Sequence, residues 1–150
     1  IQNPSRMLGK DAPSRARKLI RESDVLVSGT RPNLNAVALV PRELSGSICS
    51  TGFSVLRTNE KLVSEYLFAF VRTPQFVSNL TSLTTGQLYP AVSDKQIKSQ
   101  FIPLPPLEEQ IEISERLNDA EEIKKTNAES DTKIEELQSS LLQRAFRGEL

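Results

Sequence analysis

Residues 107–146 read LEEQIEISERLNDAEEIKKTNAESDTKIEELQSSLLQRAF, about 40 residues without a proline or a glycine. This composition favours one long helix, about 60 Å at 1.5 Å per residue. Pro106 suits the first turn, and Glu108, Glu109 and Glu112 complement the positive end of the helix dipole. Arg144 and Arg147 fall in the last turn, with Gly148 placed to end it. Ile113, Ala120, Ile123, Ile134, Leu137 and Leu141 form a heptad-like stripe that asks for a partner helix. Asn127 and Ser130 interrupt that stripe. One continuous helix is the expectation. The alternative is a break near Asn127–Thr132, with Thr132 and Glu135 capping a second helix.

Upstream, the chain changes character twice. Residues 1–21 are polar, rich in turns and basic, with Lys10, Arg15, Arg17 and Lys18 close together. From Val25 come short β-rich runs, VLVSGT, NAVALV and SICSTGFSVLR, separated by the turn RPN at 31–33 and by Gly46. Val25, Val27, Val37, Leu39, Ile48, Phe53 and Val55 alternate as one face of an antiparallel sheet would. SEYLFAFVRTPQFVSNL then reads as two short helices, the first capped by Ser64 and the second begun at Pro74. The stretch from Thr84 to Leu107 reads as loop, turn and one edge-like strand, closed by the stiff Pro103, Pro105 and Pro106. The fold class is therefore α+β: a small, mainly antiparallel β domain over 1–105 with short helices, followed by a long coiled-coil-forming helix over 106–150.

The residues needed for catalysis are missing. The chain has no histidine and a single cysteine, which leaves no zinc site and no histidine base. Cys49 lies in an apolar run and reads as a small buried hydrophobe. Gly46, Gly52 and Gly86 are isolated rather than part of a phosphate loop. Asn3-Pro4-Ser5 lacks the rest of an amino-methyltransferase signature. Glu108/Glu109 and Glu135/Glu136 read as solvated helix charge. A stand-alone enzyme is not expected. No apolar run approaches the roughly 18 residues of a membrane span and no signal-peptide pattern opens the chain. The single cysteine rules out an internal disulfide and suits a cytoplasmic protein. Ile1 in place of Met points to a fragment.

The net charge of zero hides a division. Residues 1–107 carry 13 Lys/Arg against 7 Asp/Glu, and residues 108–150 carry 6 against 12. A basic half can face phosphate and an acidic half is repelled by it. Lys10, Ser14, Arg15, Arg17 and Lys18 form a phosphate-contacting segment. Arg31, Asn33 and Asn35, in a hairpin-like turn, have the chemistry that pairs with guanine and adenine edges. Thr85, Gln87 and Tyr89 offer a third polar loop with an aromatic. Each group also has a plain structural explanation, as turn residues, surface charge or a tight glycine turn.

APSRAR, DVLVSGTRPNLNAVALVP, STGFSVLR, TTGQLYPAVSD, IPLPPLEEQ and LLQRAFRGEL together resemble the specificity subunit of type I restriction–modification enzymes. The resemblance covers nearly the whole chain, and IPLPPLEEQ with AFRGEL is its most distinctive pairing. It implies a non-catalytic target-recognition domain for double-stranded DNA and a spacer helix that pairs antiparallel with a second one. It also implies methyltransferase subunits as partners and, through them, restriction subunits. S-adenosylmethionine, ATP and Mg would be bound by those partners and no cofactor by this chain. Such subunits carry two recognition units, so one unit means either a C-terminal piece or a half-subunit that pairs with a second copy. Two further readings stay open: the specificity part of a fused restriction–methyltransferase enzyme, and a structural coiled-coil adaptor.

Overall fold

The computed structural model describes residues 7–84 and 90–146, with side chains described as far as 128 and at Lys133. Among the described residues, five strands form two sheets. β2 (Val25–Ser28) is the centre of a three-stranded antiparallel sheet, with β3 (Val37–Leu39) on one side and β5 (Phe53–Leu56) on the other. β1 (Ala16–Leu19) and β4 (Ile48–Ser50) form a separate antiparallel pair.

Register decides which side chains share a face. Val25 lies opposite Leu39 and Leu56, and Val27 opposite Val37 and Ser54. These positions face the helices, where Val25 and Val27 join Leu67, Val71, Phe76, Leu80, Val92 and Ile97 in the main core. Leu26 points the other way. It packs with Ile20 and Val40 in a smaller cluster, with Ala38, Leu44, Cys49, Phe53 and Val55 around it. A central strand covered on both faces is uniformly apolar, as VLV is.

The single apolar face expected from Val25 to Val55 is thus corrected. Phe53 and Val55 lie on the opposite face from Val25 and Val27, and Ile48 is in the other sheet, 53% exposed. Alternation within a strand sets its own two faces, whereas the phase between strands depends on pairing. Here pairing puts Ser54, not a hydrophobe, beside Val27. Cys49 is half-buried against the smaller cluster, and burial pushes its thiol above the ordinary range.

One charge is taken fully inside. Asp24 is 1% exposed. It accepts the forked guanidinium of Arg57, Nε and Nη2 each at 2.7 Å, and the Arg21 backbone N–H at 2.7 Å. Burial opposes its ionisation, but those hydrogen bonds outweigh it and hold the carboxyl below its ordinary range. The fork joins the end of β5 to the turn that enters β2.

The helices follow from local chemistry. α1 (Ser64–Val71) is preceded by Val63 as its cap residue. Ser64, the expected cap, is instead the first helical residue, and its hydroxyl shares a 2.8 Å hydrogen bond with Thr58. α2 (Pro74–Ser82) begins at the expected proline, and Thr73 Oγ1 accepts from the Phe76 N–H. Phe70 and Phe76 meet edge to face at 5.6 Å across the break. α3 (Asp94–Lys98) replaces the edge-like strand expected in this region, where the described residues contribute only a bridge between Thr30 and Ala91. A reciprocal Ser93/Gln96 capping box starts α3.

α4 (Leu107–Phe146) is one helix and passes 127–132 without a break. The chain divides into two compact units between Ser114 and Glu115, so the first two turns of α4 belong to the first unit. Gln110 holds those turns in place. It is fully buried, its Oε1 accepts from the Val63 N–H at 2.9 Å, and its Nε2 donates to the carbonyls of Lys61 and Pro105 at 3.0 and 2.8 Å. Tyr66 donates to the Pro103 carbonyl just upstream. Along the expected seam, Ile113 is half-buried, while Ala120 and Ile123 are exposed. The side chains of Ile134, Leu137 and Leu141 lie outside the described residues. No helix among the described residues is long and apolar enough to cross a membrane.

Candidate nucleic-acid interface

The basic segment becomes a strand whose alternation divides its charges. In β1, Arg17 and Leu19 point to solvent and Ala16 and Lys18 turn inward. A bulge between Ala16 and Lys18 interrupts pairing at Arg17, and bulges commonly re-aim one side chain. Arg17 Nε donates to the Ser14 carbonyl at 2.7 Å, bracing the guanidinium over the turn. Lys10, Ser14, Arg15 and Arg17 are all exposed.

Lys18 is occupied within the fold. Its ammonium donates to the Phe53 carbonyl at 2.7 Å and to Asp94 Oδ1 at 3.0 Å. Asp94 also accepts from Ser54 and pairs with Lys98 at 2.8 Å. Partial burial raises the cost of its charge, yet Lys98, Ser54 and Lys18 together hold the carboxyl well below the usual range. These contacts clamp β1, β5 and α3 together.

A pH prediction follows. Asp24 and Asp94 both have folded pKa values below the ordinary 3.8, so the stability they add is present above about pH 4 and lost as pH falls below it. The urea midpoint should therefore begin to fall near pH 4 and go on falling down to about pH 2. Asp94→Asn should be less stable at pH 7 and show a shallower drop. Parallel profiles for the two proteins would contradict the clamp.

Backbone hydrogen bonds bring the sequence-expected segments to one end of the first unit. The Arg15 carbonyl accepts from the Thr51 N–H at 2.8 Å, which seats the basic segment on the β4–β5 turn. The next residue of that turn, Gly52, accepts from the Gly29 N–H at 2.9 Å. Gly29 then accepts from the Val92 N–H, and the Arg31 N–H donates to the Pro90 carbonyl, both at 2.8 Å. A side chain at Gly29 has no room, because its Cβ would stand 2.7 Å from the Val92 carbonyl oxygen. The segment Ser14–Arg17, the turn after Thr30 and the stretch Pro90–Val92 are therefore linked through backbone hydrogen bonds that run by way of Thr51, Gly52 and Gly29. Thr85, Gln87 and Tyr89 themselves lie outside the described residues.

The stretch after Thr30 is the loop of the β2–β3 hairpin and carries a single 3-10 turn, Pro32–Leu34. Arg31 and Asn35 flank it, both left-handed, with φ of 50° and 47°. Pro32 is buried beneath the turn, and Asn35 Nδ2 donates to the Arg72 carbonyl at 3.1 Å. Asn35 is thus engaged in anchoring, while Arg31 and Asn33 are exposed.

Sequence reasoning missed three functional supports. The Lys18–Asp94 clamp spans 76 residues and no local pattern marks it. Gly29 precedes a Thr-Arg-Pro turn, where a glycine is ordinary, so no local signal marks its close approach to Val92. Gln110 sits among acids in a helical first turn, where a solvated side chain is the usual outcome. Only the Ser93-x-x-Gln96 box carried a readable signal.

Residues 9–138 match the family model described as the type I restriction modification DNA specificity domain. The HindI specificity subunit of Haemophilus influenzae is 24% identical over 91% of this chain and 30% of its own length. The EcoKI specificity subunit of Escherichia coli K12 is 35% identical over 63% of this chain and 21% of its own. The HsdS subunit of Thermoanaerobacter tengcongensis superposes with a TM-score of 0.75 at 44% identity, covering 83% of this chain and 33% of that one. A chain from a structure describing complex assembly and conformational transition of the type I R-M system gives a TM-score of 0.78 at 42% identity, covering 95% of this chain and 38% of that one. The match thus spans from 21% to 38% of the length of these relatives. With the match running from the basic turn through most of α4, the chain belongs to the type I restriction modification DNA specificity domain family.

Proposed function

We propose that this chain reads double-stranded DNA without catalysis of its own and directs adenine methylation and cleavage by partner subunits. The observation that carries the reading is the run of backbone hydrogen bonds that links the exposed Ser14–Arg17 segment, through Thr51, Gly52 and Gly29, to the start of the Arg31–Asn35 turn. Arg15 and Arg17, with Lys10, contact phosphate and set position, and the turn reads base edges. Methyltransferase subunits bind the specificity subunit and bring restriction subunits with them, in the cytoplasm. S-adenosylmethionine, ATP and Mg are held by those subunits. α4 pairs with a second helix, from another copy or from the second half of the same subunit, and sets the distance between two half-sites. Ile123, 63% exposed, and Leu117, 46% exposed, support pairing because both leave apolar surface on α4.

Arg15→Ala with Arg17→Ala, made in the full-length protein, tests the phosphate role. Each phosphate contact contributes about 0.9 to the slope of log affinity against log salt. The double variant should lose about 2 from that slope and weaken binding to all duplexes alike. An unchanged slope would show that these arginines do not face the backbone.

A further inference from the structure

We propose that Leu34 is a specificity-determining residue that packs on a thymine methyl from the tip of the Arg31–Asn35 turn. This rests on the DNA-reading role proposed above and extends it to a residue whose type is rarely suspected of reading bases. Leu34 is 64% exposed although it closes a turn whose other apolar member, Pro32, is buried. One isolated leucine is too small a surface to dock a protein, which needs a patch of several hundred Å2. It has the size and chemistry for the C5-methyl that marks thymine in the major groove.

The turn is built to hold that side chain still. Arg31 and Asn35 both adopt the left-handed region, which asparagine tolerates but which costs an arginine about 1 kcal/mol or more. Such conformations persist where the surroundings over-determine them. Here the Arg31 N–H is tied to Pro90, the Leu34 N–H to Arg31 and the Asn35 N–H to Pro32. The Asn35 side chain is tied to Arg72. Behind the turn, Pro32 and Asn35 line a small void shared with Val71, Phe76 and Leu80. A connector between two strands needs none of this bracing. A tip that must present Asn33 and Leu34 in fixed geometry to a groove does need it. Asn33 supplies donor and acceptor, and Leu34 the apolar contact, so adjacent residues would distinguish adjacent base pairs.

The test selects duplexes from a randomised pool with the full-length protein in its native assembly, for wild type, Leu34→Ala and Leu34→Met. Leu34→Ala should relax preference at one thymine while keeping the remaining positions and the salt slope. Replacing that thymine by deoxyuridine removes only the methyl. Wild type and Leu34→Met should lose about 4-fold in affinity, the worth of one buried methyl, and Leu34→Ala should lose nothing. If wild type selects a sequence but no thymine in it is methyl-sensitive, or if Leu34→Ala is equally sensitive, the proposal is overturned and DNA reading stands. If wild type selects no sequence at all, the DNA reading itself fails and takes this proposal with it.

Discussion

Gln110→Leu is expected to destabilise the unit ending at Ser114 by about 3–4 kcal/mol, with a fall in thermal midpoint of roughly 15 °C. Leucine fills similar space, so packing changes little. What is lost is hydrogen bonding: the Val63 N–H and the Lys61 and Pro105 carbonyls would lose their partner where no solvent reaches Gln110. Each buried orphan costs about 1–3 kcal/mol, less whatever relaxation recovers. Gln110→Glu separates this from a volume effect. An ionised carboxylate would face two carbonyl oxygens, so its deficit should be larger at pH 7 and shrink toward about pH 5 as the group takes up a proton. A thermal midpoint for Gln110→Leu within 2–3 °C of wild type, roughly the effect of a neutral surface change, would contradict the assignment.

Gly29→Ala is the second severe change. Its Cβ would lie 2.7 Å from the Val92 carbonyl oxygen and 3.4 Å from that of Gly52, and neither backbone can move away cheaply. Gly29 is hydrogen-bonded to the β4–β5 turn and to the segment at Val92, so the methyl pushes apart the segments that bring Arg15 and Arg31 to one end. We expect a loss of about 2–3 kcal/mol and a fall in DNA affinity of about 10-fold. Gly52→Ala is the control, since its Cβ would meet only the Ser50 hydroxyl at 3.5 Å, an ordinary contact. It should change stability by no more than about 0.5 kcal/mol. Equal effects at the two glycines would show that close backbone approach is not what Gly29 provides.

The parts of this fold legible in the sequence are those decided locally. The absence of Pro and Gly from 107–146 announced α4, and Pro74 announced the break between α1 and α2. What escaped was decided by distant pairing. β1 hides in a stretch that looks like a basic tail, because apolar and charged residues do not alternate in Ala16-Arg17-Lys18-Leu19: Lys18 shares the inward side with Ala16, and Leu19 the outward side with Arg17. Its strand identity comes from β4, about 30 residues away along the chain. The faces of β5 were misassigned because the register that sets Ser54 beside Val27 is a property of the pair of strands. The candidate site was legible as chemistry, in arginines and asparagines of the right kinds. Its organisation was not, because Lys18 and Asn35 match the surface residues in type and differ only in where their polar groups bond. Leu34 was overlooked for the opposite reason: an apolar residue beside β-strands is ordinarily core.

Sequence selection from a randomised duplex pool at about 0.15 M salt, with the full-length protein in its assembly, tests the DNA-reading role most directly. Enrichment of one defined sequence is expected, with affinity falling steeply and linearly in log salt. A protein that enriches no sequence, or binds every duplex alike even at low salt, would contradict it.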